Sequence, residues 1–284
     1  MFERYIKEPF KYATSDWKKI FVGGVLNIIA ILPLELLSAM IGVISYSGSR
    51  FGTYTPSIEG LTTMIAIFVV LSLFTIIISI ILMGYYITIS KNTIESIDTL
   101  PEWENFGTFI KNGFLYYVAL LIFGFVVIGL PIILMSALLF IPVYNHISNY
   151  HPNMNIIIGL LLFILVICIL AILAILYIPL ATVNFAKKGF EGFFEFKYIL
   201  KLISLKYIVL LILLWLIFVV ISALINLPAM VLSILSELSY NTTMLYISKV
   251  LYAITGGFTS FFLSVIYYRS ISNYYVDKLK KLKN

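Results

Sequence analysis

The sequence predicts an all-α integral membrane protein with six transmembrane helices, arranged as three related two-helix repeats with amphipathic cytosolic segments. Three observations carry this. First, the 284 residues are 62% hydrophobic and only 11% charged, where a soluble domain has about 25% charged residues. So few polar side chains cannot cover a globular surface, and so much Ile, Leu and Phe excludes a disordered chain. Second, residues 60–90, 112–186, 207–236 and 250–268 contain no Asp, Glu, Lys or Arg. Third, the basic residues gather in alternate connecting segments.

A helix rising about 1.5 Å per residue needs about 20 apolar residues to cross the hydrocarbon. The first span is near 20–44, with Glu35 as its only charge. The second is near 61–89. The run 112–186 is too long for one helix and is broken by Ile141-Pro142 and His151-Pro152, which gives spans near 114–140 and 156–180. The last two are near 207–232 and 250–268. Together they form a single membrane domain over 1–284. These runs are apolar all round, whereas a membrane barrel would alternate apolar and polar residues.

With the N-terminus in the cytosol, the inside segments 1–19, 90–113, 181–206 and 269–284 hold 5, 2, 5 and 5 Lys/Arg, and the outside loops 45–60, 141–155 and 233–249 hold 1, 0 and 1. Lys and Arg are retained on the cytoplasmic side, which predicts a protein of the cytoplasmic membrane with both termini cytosolic. The net charge of +6 then favours anionic inner-leaflet lipids by about 1 kcal/mol per close cation. The charges flank spans without a nucleic-acid motif, so no nucleic-acid partner is expected.

Three odd-numbered spans share the pattern L-P-x-x-[LV]-[LM]-S, at Pro33, Pro131 and Pro228, spaced 98 and 97 residues apart. Each copy is preceded by an aromatic-rich segment, so the chain reads as three copies of one unit. An internal proline removes a backbone donor and kinks a helix. The kinks are either inherited packing features or hinges around a central path. In 94–113, residues Ile94, Ile97, Leu100, Trp103, Phe106 and Phe109 form an apolar ridge opposite acidic residues. This predicts a helix or turn in the headgroup plane with Trp103 as an anchor. In 187–206, Phe190, Phe193 and Phe194 are expected to face lipid. A protein partner docking on this cytosolic face is the alternative use.

At Asp16-Trp17-Lys18-Lys19 and Leu100-Pro101-Glu102-Trp103-Glu104-Asn105-Phe106-Gly107 the chain resembles the archaeal and bacterial multi-pass proteins catalogued as domain of unknown function 4013. Gly23-Gly24, Gly84-Tyr85-Tyr86 and Gly113 extend the resemblance. The distinctive motif residues are Pro101, Trp103, Phe106 and Gly107. The resemblance implies an archaeal six-helix membrane protein and no particular activity.

Catalytic signatures are absent: no P-loop, HExxH, GxSxG, CxxC or GxGxxG. No cofactor and no metal are expected; His146 and His151 lack the company of further ligands. Cys168 in an all-apolar helix reads as a small packing residue. Glu35 stands about 24 Å along the helix from Lys19, in the outer half of its span. An intramembrane carboxylate invites a functional hypothesis; the alternative is a side chain reaching the outer interface. Asn27 and Asn226 are intramembrane amides, suited to helix-to-helix hydrogen bonds or to substrate contact. Asn241-Thr242-Thr243 fits a glycosylation acceptor. The expected function is a non-enzymatic role in lipid contact, membrane organisation or partner docking. A transporter or channel subunit with a path near Glu35, Asn27 and Asn226 is the alternative, and a membrane-embedded lipid enzyme a further one.

Overall fold

The computed structural model describes residues 2–51, 58–134, 136 and 154–283. Among the described residues every regular element is a helix. Six are long and apolar enough to cross a membrane: Trp17–Val43, Ile65–Ile94, Phe106–Leu134, Ile158–Lys188, Leu205–Ser239 and Thr242–Leu282. Six such helices were expected; residues 135 and 137–140 of the expected third span lie outside the described residues. The expected breaks at Ile141-Pro142 and His151-Pro152, with His146 and His151, lie outside the described residues.

The elements, in order, are a π-helical turn Glu3–Lys7, α1 (Glu8–Ala13), α2 (Trp17–Phe51), α3 (Ile58–Ile94) and α4 (Phe106–Gly124), which runs into a second π-helical turn, Phe125–Gly129. They continue with α5 (Met154–Lys188), α6 (Phe190–Phe193), α7 (Phe196–Leu202), α8 (Leu205–Ser239) and α9 (Thr242–Lys283). All six long apolar helices exceed the bare span of about 20 residues. The 42 residues of α9 extend about 63 Å against about 30 Å of hydrocarbon.

The helix runs on through 269–283, a segment to which the sequence assigned no structure beyond its basic charge. The helix continues through it because the segment is enclosed on every side: Arg269, Ser270, Ile271, Ser272, Asn273, Tyr274 and Tyr275 are all buried. The Ser270 hydroxyl donates to the Tyr5 carbonyl at 2.5 Å and the Asn273 amide to the Arg4 carbonyl at 3.2 Å. A buried polar segment has no apolar periodicity to announce it; Arg269, Ser270 and Asn273 find partners on the N-terminal helices packed beside it, while the Ser272 hydroxyl is buried without one.

The chain divides into two compact units, residues 1–113 with 205–284, and 114–204. In the first, α9 is the central helix, packed against α1, α2, α3 and α8. In the second, α5 packs against α6, α7 and the π-helical turn 125–129.

Close approach is set by glycine in the first unit. A Cβ on Gly84 would stand 1.9 Å from the Phe109 carbonyl oxygen, and one on Gly113 1.9 Å from the Ile80 carbonyl oxygen. The backbones of α3 and α4 therefore cross in direct contact, as small residues permit between membrane helices.

The three prolines of the sequence pattern sit in different surroundings. Pro33 lies inside the continuous α2 and Pro228 inside the continuous α8. Pro131 stands one residue beyond the π-helical turn 125–129, after Leu130, and local π adjustment is one way a membrane helix accommodates proline.

Candidate functional site

The end of the first unit that carries the N-terminus is built from three separate stretches of sequence. Asp16 caps α2: its carboxylate accepts from the backbone N–H groups of Lys18 at 3.1 Å and Lys19 at 3.3 Å, which satisfies donors a helix start leaves open. Lys19 then turns inward. Its ammonium donates to the Leu100 carbonyl at 2.8 Å and pairs with Glu102 at 2.6 Å. In return, the Trp103 indole N–H donates to the Lys19 carbonyl at 2.9 Å. The Trp103 ring stacks on Tyr85 with centroids 4.1 Å apart, 3° from parallel. Phe109 and Phe261 complete the aromatic cluster.

This alters the reading of Trp103. Expected as a headgroup anchor, it is half-buried and tied to the protein by a hydrogen bond and ring contacts. Of the helix or turn expected over 94–113, residues 95–105 take the turn form, with Ser96 at φ 62°, and α4 starts at Phe106. Removing the Trp103 indole is expected to cost about 3 kcal/mol, measured as reduced resistance to thermal unfolding in detergent for Trp103→Ala.

Behind this junction lies a cluster the sequence reading passed over. Arg269 is 4% exposed. Its guanidinium donates to Glu8 at 3.0 and 2.7 Å, to the Thr93 hydroxyl and the Ile97 carbonyl at 3.2 Å each, and to Asp98. It also lies 4.4 Å from the centre of the Tyr12 ring. Glu8 accepts further from Asn273. One side chain thus joins α1, the end of α3, the following turn and α9. The fork of five donors suits this task, and lysine could not replace it. On sequence, Arg269 counted only as one of the basic residues closing the last span; the signal available was its position first after a charge-free run. Burial pushes the Tyr12 phenol well above its ordinary range. Burial and the hydrogen bond to Asp277 push Tyr5 up to about 12. Both phenols stay protonated at physiological pH, as their donor roles to the Thr99 carbonyl and to Asp277 require.

The sequence-derived polar residues sit elsewhere in this unit. Asn27 donates to the Gly257 carbonyl at 2.7 Å and to the Ser260 hydroxyl at 2.6 Å. Asn226 donates to the Ser222 carbonyl at 2.8 Å and accepts from the Thr255 hydroxyl at 2.7 Å. Both amides join neighbouring helices to α9. Glu35 pairs with Lys249 at 3.4 Å, and the two line a crevice of about 290 Å³ with Ala229, Met230, Ser233, Ser248 and Tyr252. Glu35 therefore has an ionic partner that sequence separation concealed. Asn241 accepts from the Met244 N–H at 3.0 Å and caps α9.

The second unit repeats one device of the first. The Tyr85 hydroxyl donates to the Pro101 carbonyl sixteen residues on, over a long 3.4 Å, and the Tyr177 hydroxyl donates to the Phe193 carbonyl at the same offset. As Tyr85 stacks on Trp103, Tyr177 stacks on Phe196 at 5.1 Å. Phe193 is fully buried against Tyr116, Phe123 and Tyr177, which corrects its expected lipid-facing role. Phe190 and Phe194 are half-buried. Cys168, expected as a packing residue, is exposed on α5.

Glu195 fastens the turn before α7, accepting from Lys188 at 2.8 and 2.7 Å and from Asn184 at 2.9 Å. The Lys188 ammonium and the Asn184 amide hold its carboxyl below the usual value of 4.5. A lowered folded value means the contribution is complete above 4.5 and is lost as pH falls through the folded value. Amide protection of 189–196, read by hydrogen exchange, is accordingly expected to be constant at neutral pH and to decline only in acid.

Among the described residues no group of three or more His, Cys, Asp or Glu converges in a metal-binding arrangement.

The motif junction can now be set beside known proteins. The family described as "Protein of unknown function (DUF4013)" matches residues 67–233, a stretch that contains Tyr85, the 100–107 segment and both crossing glycines. The chain belongs to DUF4013. Two relatives in Methanocaldococcus jannaschii agree: the uncharacterized protein MJ1189 is 33% identical over 99% of this chain and 98% of its own length. The uncharacterized protein MJ0233 is 31% identical over 97% of each. No solved structure matches. Of the DUF4013-like motif residues, Pro101, Trp103 and Phe106 pack at the junction or its rim. Gly107 is different: a Cβ there meets nothing within 4 Å, and the structure offers no steric reason for glycine.

Proposed function

We propose that this DUF4013 protein is a non-enzymatic, multi-pass protein of the cytoplasmic membrane with both termini in the cytosol. It works through lipid contact and membrane organisation, its basic end resting on anionic inner-leaflet lipid. The observation that carries this reading is the division of labour among cations at that end. Arg269 and Lys19 are spent inside the protein, while Lys7, Lys11, Lys18, Lys280 and Lys281 are exposed. The internal cluster holds the surface rigid; the exposed lysines present charge. Each is worth about 1 kcal/mol against an anionic leaflet. The exposed apolar residues of α3, such as Ile65, Val70, Leu73 and Ile77, are the surface that lipid tails cover.

The recurrence of the tyrosine device in both units supports descent from a repeated two-helix element, with the last helix pair as a third copy that ends without a turn. Transport draws less support. Its polar path would use Asn27 and Asn226, and both amides are bonded between helices.

The test is reconstitution into nanodiscs with and without anionic lipid. The unfolding temperature is expected to rise with anionic lipid, and the increment to shrink in high salt and in a Lys11→Gln/Lys18→Gln/Lys280→Gln variant. A solute flux in proteoliposomes, present in the wild type and lost in a folded Asn27→Leu variant, would replace this reading by transport.

A further inference from the structure

We propose that the crevice between α2, α8 and α9 binds a zwitterion, a group carrying an ammonium and an acidic oxygen a few bonds apart. The inference stands apart from the anionic-lipid reading, since it concerns the opposite end of the first unit and a different charge type.

The crevice is built around an ion pair that stability does not explain. Glu35 and Lys249 lie within apolar spans, where a charged side chain costs about 2.5–3.5 kcal/mol near the bilayer centre and less toward its edge. A partly open pair returns only about 0–1 kcal/mol. Their separation is 3.4 Å, and their side chains keep 21% and 26% exposure. Both residues line the crevice, and the pair leaves hydrogen-bonding capacity over: an ammonium has three protons and a carboxylate about four acceptor sites.

The rest of the lining fits a small dipolar guest. The volume of about 290 Å³ is near the lower edge of ligand sites, at about 300 Å³, and exceeds the needs of a single water. The pair is neutral overall, so neither a simple anion nor a simple cation is favoured. A zwitterion matches it charge for charge, its ammonium on Glu35 and its acidic oxygens on Lys249. Ser233 contributes a hydroxyl to the wall, while the Ser248 hydroxyl is turned to the Leu245 carbonyl at 2.8 Å. Ala229 and Met230 supply an apolar wall and Tyr252, 40% exposed, a rim. A phosphoethanolamine-type lipid headgroup and a free amino acid share this chemistry.

The experiment is native mass spectrometry of the protein released from nanodiscs of equal phosphatidylethanolamine and phosphatidylglycerol. It is paired with calorimetric titration of free phosphoethanolamine and of serine into protein in phosphatidylglycerol alone. Phosphatidylethanolamine is expected to be retained over phosphatidylglycerol by about tenfold (1.4 kcal/mol), or one of the free solutes to bind with one-to-one stoichiometry. The first result assigns a lipid source and the second an aqueous one. Either is expected to disappear in Glu35→Gln and in Lys249→Met. Ser233→Leu, which fills the crevice and leaves both charges, is expected to weaken it and covers the case in which a charge variant fails to fold. No preference among lipids together with no solute binding, or a preference unchanged in folded Glu35→Gln and Ser233→Leu variants, overturns the proposal.

Discussion

Gly84→Ala is expected to abolish the packing of α3 on α4, and Gly113→Ala to do the same from the other side. Each added Cβ would fall 1.9 Å from a carbonyl oxygen of the facing backbone, far inside any van der Waals separation. A flexible side chain can rotate away from such a clash; a helix backbone cannot. The two helices must move apart by more than an ångström, and the Tyr85, Phe109 and Trp103 rings seated at the crossing lose contact. Overpacking commonly costs about 1–3 kcal/mol, and a clash with backbone on both helices puts these variants beyond about 3 kcal/mol. The readout is the yield of monodisperse protein in detergent and its unfolding temperature. Gly107→Ala is the internal control. It belongs to the family-like motif yet meets nothing. Alanine at this exposed position near the start of α4 is expected to be neutral or mildly stabilising, by at most about 1 kcal/mol.

Arg269→Met is expected to have the second large effect. It removes the guanidinium from Glu8, which keeps only Asn273, and takes the guanidinium donor from the Thr93 hydroxyl and the Ile97 carbonyl. Breaking a buried ion pair from one side costs about 3–5 kcal/mol because the other charge is left behind. The lower figure applies here, since Glu8 and Asp98 keep 32% and 81% exposure and regain water. Arg269→Lys is expected to recover little, as one ammonium cannot serve α1, α3, the turn and α9 together. Unfolding temperature in detergent reads both variants. A companion Glu8→Gln, which keeps an acceptor, is expected to cost less than the arginine change.

Composition and charge placement were sufficient for the six spans, because hydrophobicity and basic flanks act locally along the chain. What they did not reveal is how the ends are held. Arg269 read as one more basic flank, and its role depends on Glu8 and Asp98, which are distant in sequence and converge only in the fold. Phe193 was placed toward lipid because aromatic residues beside spans usually lie there, and it is instead buried against Tyr177; Trp103, expected at the headgroups, is half-buried and stacked on Tyr85. Asn27 and Asn226 were recognised as intramembrane amides, and their partners Ser260 and Thr255 were hidden by the ordinariness of hydroxyls in apolar helices. Glu35 was visible as a charge, but its pairing with Lys249 joins the first span to the start of the last. The continuation of α9 beyond the last span was not announced, because a buried polar segment carries no hydropathy signal.

The central claim is that residues 3–19, the turn 95–105 and the end of α9 form one clasp, closed by Lys19–Trp103 on one side and Arg269 on the other. Hydrogen exchange measures this directly, since a cooperative unit opens as a whole. In the wild type, the buried amides of α1, the start of α2 and the turn are expected to exchange with a common protection. In Arg269→Met, and separately in Trp103→Ala, all three stretches are expected to lose protection together while α8 keeps its own. Loss confined to the residues beside each substitution, with the other stretches unchanged, would contradict the clasp.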